Sequence, residues 1–216
     1  MENDYQKDVS IPAGKISLRG ELVIPARAKS IVLFSHGSGS SRFSIRNKQV
    51  ANGLHVKNIG SLLFDLLTEA EDIYYRNRFD INLITERLIT ATRWLEALPN
   101  TKGCVIGYFG ASTGAASALK AAAILPDIGA VVSRGGRPDL AREDLAKVKS
   151  PTLLIVGSLD TEVIQLNKDA FAQLKCEKKL TIIEGATHLF EESGKMEIVS
   201  ELAASWFENH LTSVQV

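Results

Sequence analysis

The chain has 216 residues, 45% of them hydrophobic, and 25 basic side chains balance 25 acidic ones. This size and composition suit one larger α/β domain with a packed core. The neutral balance excludes a bulk nucleic-acid binder, which needs a basic field, and no apolar run approaches the roughly 20 residues of a membrane span.

The polar start, from Met1 to Lys7, carries no signal-peptide core. Alternation then predicts two strands, near 7–11 and 15–24, turning at Pro12-Ala13-Gly14. Apolar runs at 31–34, 61–64, 104–108, 128–132, 152–156 and 180–183 read as strands buried on both faces. Between most of them lie helical stretches, near 45–57, 80–98, 113–125, 162–174 and 196–211. On 80–98, Ile81, Ile84, Leu88, Ala91 and Leu95 share one face at three- and four-residue steps. The alternation predicts one α/β domain over 1–216, with a mostly parallel sheet of about eight strands and helices on both faces. Gly53 falls inside the first predicted helix, at a cost of about 1 kcal/mol relative to alanine, and nothing in the sequence accounts for it or for nearby His55. Cys104 and Cys176 lack metal-type spacing, and Cys104 reads as a buried thiol in a central strand. A disulfide-free, cytoplasmic protein is the expectation.

The chemistry gathers at Gly110-Ala111-Ser112-Thr113-Gly114, a Gly-x-Ser-x-Gly run between an apolar strand and an alanine-rich helix. That context suits a nucleophile elbow, with Ser112 held at the tip of a tight turn at a helix N-terminus. A serine hydroxyl needs a base, and the base needs an orienting acid. His188 follows the last strand and is the expected base. His210 lies in the terminal helix, and His36 precedes the nucleophile, where a structural hydrogen-bonding role suits it. Asp160 ends a buried strand on the same edge and is the expected acid, with a helix-capping role as the alternative. Asp139 is a weaker rival, and Asp127 belongs to the opposite edge. Oxyanion donors are expected at the Thr113 amide and, from the small-residue loop Ser35-His36-Gly37-Ser38-Gly39, at the Ser38 amide.

The segment 65–79 is the longest interruption and leaves little room for a lid. Its Tyr74, Tyr75 and Phe79 wall a substrate pocket in one reading and pack beneath a surface loop in the other. Arg42, Arg134 and Arg137 also follow strand ends. They form an anion site on the rim in one reading, and pair structurally with Asp65 or Asp139 in the preferred one.

On His36-Gly37-Ser38-Gly39, Phe64-Asp65, the 110–114 elbow, Asp160 and Gly185-Ala186-Thr187-His188, the chain resembles the α/β-hydrolase superfamily, and within it the dienelactone hydrolase-like group. The resemblance spans nearly the whole chain. It implies an α/β-hydrolase fold without a substantial cap domain and a hydrolase with a small-molecule acyl substrate. It implies no metal, organic cofactor, nucleic acid or membrane partner. Dienelactone hydrolases proper carry cysteine in the elbow, so Ser112 makes a serine esterase the closer analogy. Residues 133–140 also look like a segment of uncharacterised relatives, some of which are fused to phosphoribosyltransferase domains. A catalytically silent relative, acting as a binding or partner protein, is the alternative reading.

Overall fold

The computed structural model describes residues 5–211, so Met1 to Asp4, with the polar start expected there, and residues 212–216 lie outside the description. Eight strands form one sheet among the described residues: β1 (Tyr5–Ala13), β2 (Ile16–Ile24), β3 (Ser30–Ser35), β4 (Gly60–Phe64), β5 (Val105–Ala111), β6 (Ala130–Arg134), β7 (Thr152–Gly157) and β8 (Lys178–Ile183). Their order is β1-β2-β4-β3-β5-β6-β7-β8. The β1–β2 and β2–β4 pairs are antiparallel, and from β4 to β8 all pairs are parallel. The expected strand count, hairpin and parallel core are therefore present.

The helices are α1 (Ile45–Val56), α2 (Glu69–Asp72), α3 (Ile81–Glu96), α4 (Thr113–Ile124), α5 (Thr161–Gln173) and α6 (Lys195–His210). One apolar cluster lies under α3, α4 and α5 and includes Ile84, Leu88, Leu119 and Ala170. The other lies under α1 and α6 and includes Val50, Leu54, Val199 and Phe207. Strands β3, β4, β6 and β7 are buried along their whole length, which is why they read as unbroken apolar runs.

Two local differences have physical reasons. Strand β6 continues through Ser133 and Arg134, beyond the apolar run expected to end at 132, because neighbours on both sides keep its ladder paired to that point. Cys104 lies one residue before β5 and is half-buried; burial raises its thiol pKa.

Gly53 is explained by packing. A Cβ there would collide with the Ser200 hydroxyl of α6, so the glycine lets the two helices approach closely. His55, two residues on, places Nε2 2.8 Å from Ser61 Oγ of β4.

The parallel strands direct their C-terminal ends to one edge. The chain leaves the central β3 toward β4 on one side and β5 on the other, a reversal that opens a crevice at that edge.

Candidate active site

Ser112 sits between β5 and α4 with φ 51 and ψ −121, a left-handed backbone that a non-glycine residue rarely adopts. Its neighbours make the turn tight. A Cβ on Gly114 would strike the Ser35 carbonyl, and one on Gly110 would strike Ala115. The Ser112 N–H donates to the Arg134 carbonyl at 3.2 Å, and the Arg137 N–H donates to the Ser112 carbonyl at 3.1 Å. The elbow is thus tied to the end of β6, and the strain is held by surrounding hydrogen bonds.

The loop after β8 brings in His188. It crosses the end of β7, where the Leu159 N–H donates to Ala186 O at 3.0 Å and the Gly185 N–H to Ser158 Oγ at 2.8 Å. Phe190, at 1% exposure, anchors its far side in the core. The imidazole then lies against Gly135, where an added Cβ would stand 3.4 Å from Cε1. Asp160 Oδ2 is 2.6 Å from His188 Nδ1. Because a carboxylate only accepts, Nδ1 carries the proton and Nε2 keeps its lone pair. Asp160 is the N-cap residue of α5, yet its side chain makes no capping bond; it serves the imidazole instead. Among the described residues no hydrogen bond joins Ser112 Oγ to His188.

The rivals are engaged elsewhere. Asp139 takes two hydrogen bonds from Arg137, at 2.9 and 2.8 Å. His210 bonds the Trp206 carbonyl and Glu177. His36 is structural, as expected: Nδ1–H donates to Gly37 O at 3.0 Å, and Nε2 accepts the Leu66 N–H at 3.1 Å. Burial holds its pKa below the ordinary histidine value, outweighing Gly37, Asp65 and Asp72.

The two expected oxyanion residues meet. The Ser38 N–H does not stand free over the elbow; it donates to Thr113 Oγ1 at 3.0 Å. The sequence contains no signal for this bond, because it joins residues 75 positions apart. Gly37 lies flush against Ser112, where an added Cβ would be 3.1 Å from Ser112 Cβ.

The three rim arginines do not converge. Arg42 binds Asp65 through its backbone N–H at 2.8 Å and through its guanidinium. Arg137 is held by Asp139, which raises its pKa. Arg134 is not on the rim at all: it is 6% exposed, lies over the Phe190 ring at 5.9 Å, and leaves Nε without a partner. Burial first, and Arg46 second, push its pKa down to about 10.

Tyr74 and Tyr75 are 60% and 69% exposed, so the reading in which they pack beneath the loop does not hold. Segment 65–79 is also more ordered than an interruption. Thr68 and Glu71 form a capping box for α2, a Thr-x-x-Glu pattern legible in the sequence. Arg78 then grips Asp72 with bonds of 2.9 and 2.8 Å. A cleft of about 450 Å³ opens beside this segment, lined by His36, Ser40, Arg42, Asp65, Thr68 and Asp72 among others. Neither tyrosine nor Ser112 lines it. No group of three or more metal-type side chains is present among the described residues, and no helix there is long and apolar enough to cross a membrane.

Residues 68–212 match the model of the dienelactone hydrolase family. A solved structure described as dienelactone hydrolase from Anabaena variabilis is 51% identical, with a TM-score of 0.94, covering 97% of this chain and 99% of that one. Est1E from Butyrivibrio proteoclasticus shares the fold, with a TM-score of 0.81 at 16% identity over 94% of this chain and 98% of its own. Two curated proteins from Mycobacterium tuberculosis, both named putative phosphoribosyl transferase, are 50% identical over 206 residues. That match covers 95% of this chain and 46% of theirs, so the chain spans about half the length of these relatives.

Proposed function

The chain belongs to the dienelactone hydrolase family, and from that membership we propose that it is a serine hydrolase cleaving a small ester or related acyl bond through an acyl-enzyme. One observation carries this reading. Ser112, strained at φ 51, and the 2.6 Å His188–Asp160 pair lie on the same sheet edge, joined through Gly135 and Arg134.

Ser112 Oγ attacks the carbonyl carbon while its proton passes to His188 Nε2. The C–Oγ bond forms, and the carbonyl π pair moves onto oxygen. Asp160 holds the tautomer and supports the imidazolium. When the carbonyl re-forms, the bond to the leaving oxygen breaks, and Nε2 returns the proton to it. Water then repeats the sequence on the acyl-enzyme. Oxyanion stabilisation falls to the Thr113 N–H at the start of α4 and to the adjoining loop that carries the Ser38 amide, bonded in the free protein to Thr113 Oγ1. The Ser112–His188 contact closes with substrate in place, as catalytic hydrogen bonds in free enzymes often do.

Arg42 and Arg137 are consumed by Asp65 and Asp139 and are assigned to holding loops. Tyr74 and Tyr75, both exposed on segment 65–79, are the aromatic surface proposed to meet an acyl or alcohol group. The transferase name of the Mycobacterium tuberculosis relatives belongs to proteins about twice this length, of which this chain matches 46%.

A fluorophosphonate probe tests the proposal. Ser112 becomes labelled, and Ser112→Ala loses both labelling and p-nitrophenyl ester hydrolysis, by several powers of ten in kcat. An unlabelled parent protein points instead to a silent binding relative. Activity persisting in Ser112→Ala requires another nucleophile.

A further inference from the structure

Resting on the serine-hydrolase reading, we propose that the Thr113 hydroxyl is itself an oxyanion donor and that the Ser38 amide acts through it. The starting observation is the 3.0 Å bond from the Ser38 N–H to Thr113 Oγ1. This amide already has an acceptor in the free protein. It also has little freedom to turn. Gly37, the residue before it, packs closely on Ser112 and the Ala111 carbonyl, where an added Cβ would stand 3.1 and 3.2 Å from them. From the other side, His36 clamps the loop through Gly37 O and the Leu66 N–H.

The Thr113 hydroxyl is differently placed. Thr113 opens α4 directly after the nucleophile and is 3% exposed. Its oxygen accepts from Ser38, and the described hydrogen bonds show no acceptor for its own proton. A hydroxyl proton turns about one single bond, whereas a peptide N–H moves only with its backbone. The Thr113 N–H, in the first turn of the helix, has no intrahelical partner. Residue 113 therefore offers two donors from one position beside Ser112.

As Ser112 attacks, charge grows on the carbonyl oxygen, and the Thr113 O–H swings toward it. The Ser38 N–H, still bonded to Oγ1, polarises that hydroxyl and strengthens its donation. The Thr113 proton is shared and not transferred. It returns to its resting orientation when the carbonyl re-forms and the leaving group departs with the proton from His188.

The experiment compares the parent protein, Thr113→Val and Thr113→Ser. It reads fluorophosphonate labelling rate together with kcat and KM on p-nitrophenyl acetate, below the melting temperature of each. Valine keeps the branched shape and removes the donor. Its kcat and labelling rate should fall about 100-fold, the scale of one lost oxyanion donor, with KM within about twofold of the parent. Serine keeps the hydroxyl and should restore kcat to within about threefold of the parent. A hydroxyl that only holds the Ser38 amide would be restored by serine as well, so the valine variant separates the two roles: with the acceptor gone, a freed Ser38 amide acting directly would keep kcat near the parent's. If the valine variant does not fold, Thr113→Cys, a weak donor, should show the same loss. Valine or cysteine within about threefold of the parent overturns the proposal, because the Ser38 amide would then act directly. A parent that does not label defeats the serine-hydrolase reading itself. A parent that labels alongside an undiminished valine variant defeats only the role of the hydroxyl.

Discussion

His36 ties local chemistry to stability. Its neutral ring donates from Nδ1 to Gly37 O and accepts at Nε2 from the Leu66 N–H. Protonating Nε2 would abolish the second bond inside a buried site. Its folded pKa lies below the unfolded value, burial being the largest cause. The unfolded state therefore binds the proton first, and stability falls as pH drops from about 6.5 toward the folded pKa. The melting temperature of the parent should drop more between pH 7.5 and 5.5 than that of His36→Gln, whose side chain does not titrate. Equal drops in the two proteins would show that His36 contributes nothing to acid sensitivity. The residue types of the candidate site were legible in the sequence: Ser112, Asp160 and His188 follow one another in the order expected of this chemistry. So was the structural pairing of Arg42 with Asp65 and of Arg137 with Asp139, but not the fate of Arg134. Arg134 resembles Arg42 and Arg137 in sequence, yet its strand register turns it into the core beside Phe190.

At the scale of elements, the contact between α1 and α6 shows how a helix tolerates an unfavourable residue. Gly53 costs helix stability and permits the Ser200 hydroxyl to sit against the α1 backbone. That hydroxyl makes only a long bond, 3.4 Å, to Gln49 O. Removing it should release the constraint. In a Ser200→Ala background, Gly53→Ala should stabilise the protein by about 1 kcal/mol, the helix-propensity difference. In the parent the gain should be smaller, because Ser200 must give up its rotamer. A urea-denaturation double-mutant cycle measures the coupling. Identical effects in the two backgrounds would place the reason for Gly53 elsewhere. Amphipathic α3 was legible because its apolar face repeats at helical spacing; Ile84, Leu88 and Leu95 are all buried. Gly53 was not legible, because its reason lies on a helix more than a hundred residues away.

For the whole molecule, one sheet separates two apolar clusters and belongs to both. Trp94 packs against the cluster under α3 and α4, and Trp206 against the cluster under α1 and α6. These are the two tryptophans of the chain. Neither face can lose its strands without exposing the other, so the fold should open as one cooperative unit. Trp94→Phe and Trp206→Phe each leave a single fluorophore on one face. Each protein's fluorescence midpoint in urea should coincide with its own circular-dichroism midpoint. A fluorescence transition preceding loss of the sheet in either protein would reveal two separately unfolding layers.

The sequence by itself determined the α/β class, the two antiparallel strands preceding a parallel core, the elbow at Ser112 and the edge from which His188 and Asp160 emerge. These properties are local, or follow from chain order. Periodicity reports which face is buried, and successive strand–helix units direct parallel strands to a common end. Only the tertiary structure decided which polar groups meet. It fixed the 2.6 Å contact of the expected Asp160–His188 pair, turned Arg134 inward beside Phe190, and gave the Ser38 amide to the Thr113 hydroxyl. Hydrogen bonds of 2.6 to 3.0 Å between loops far apart in the chain depend on how the strands are ordered and how closely the helices pack. Residue type states what a group can donate or accept, and the three-dimensional arrangement supplies the partner.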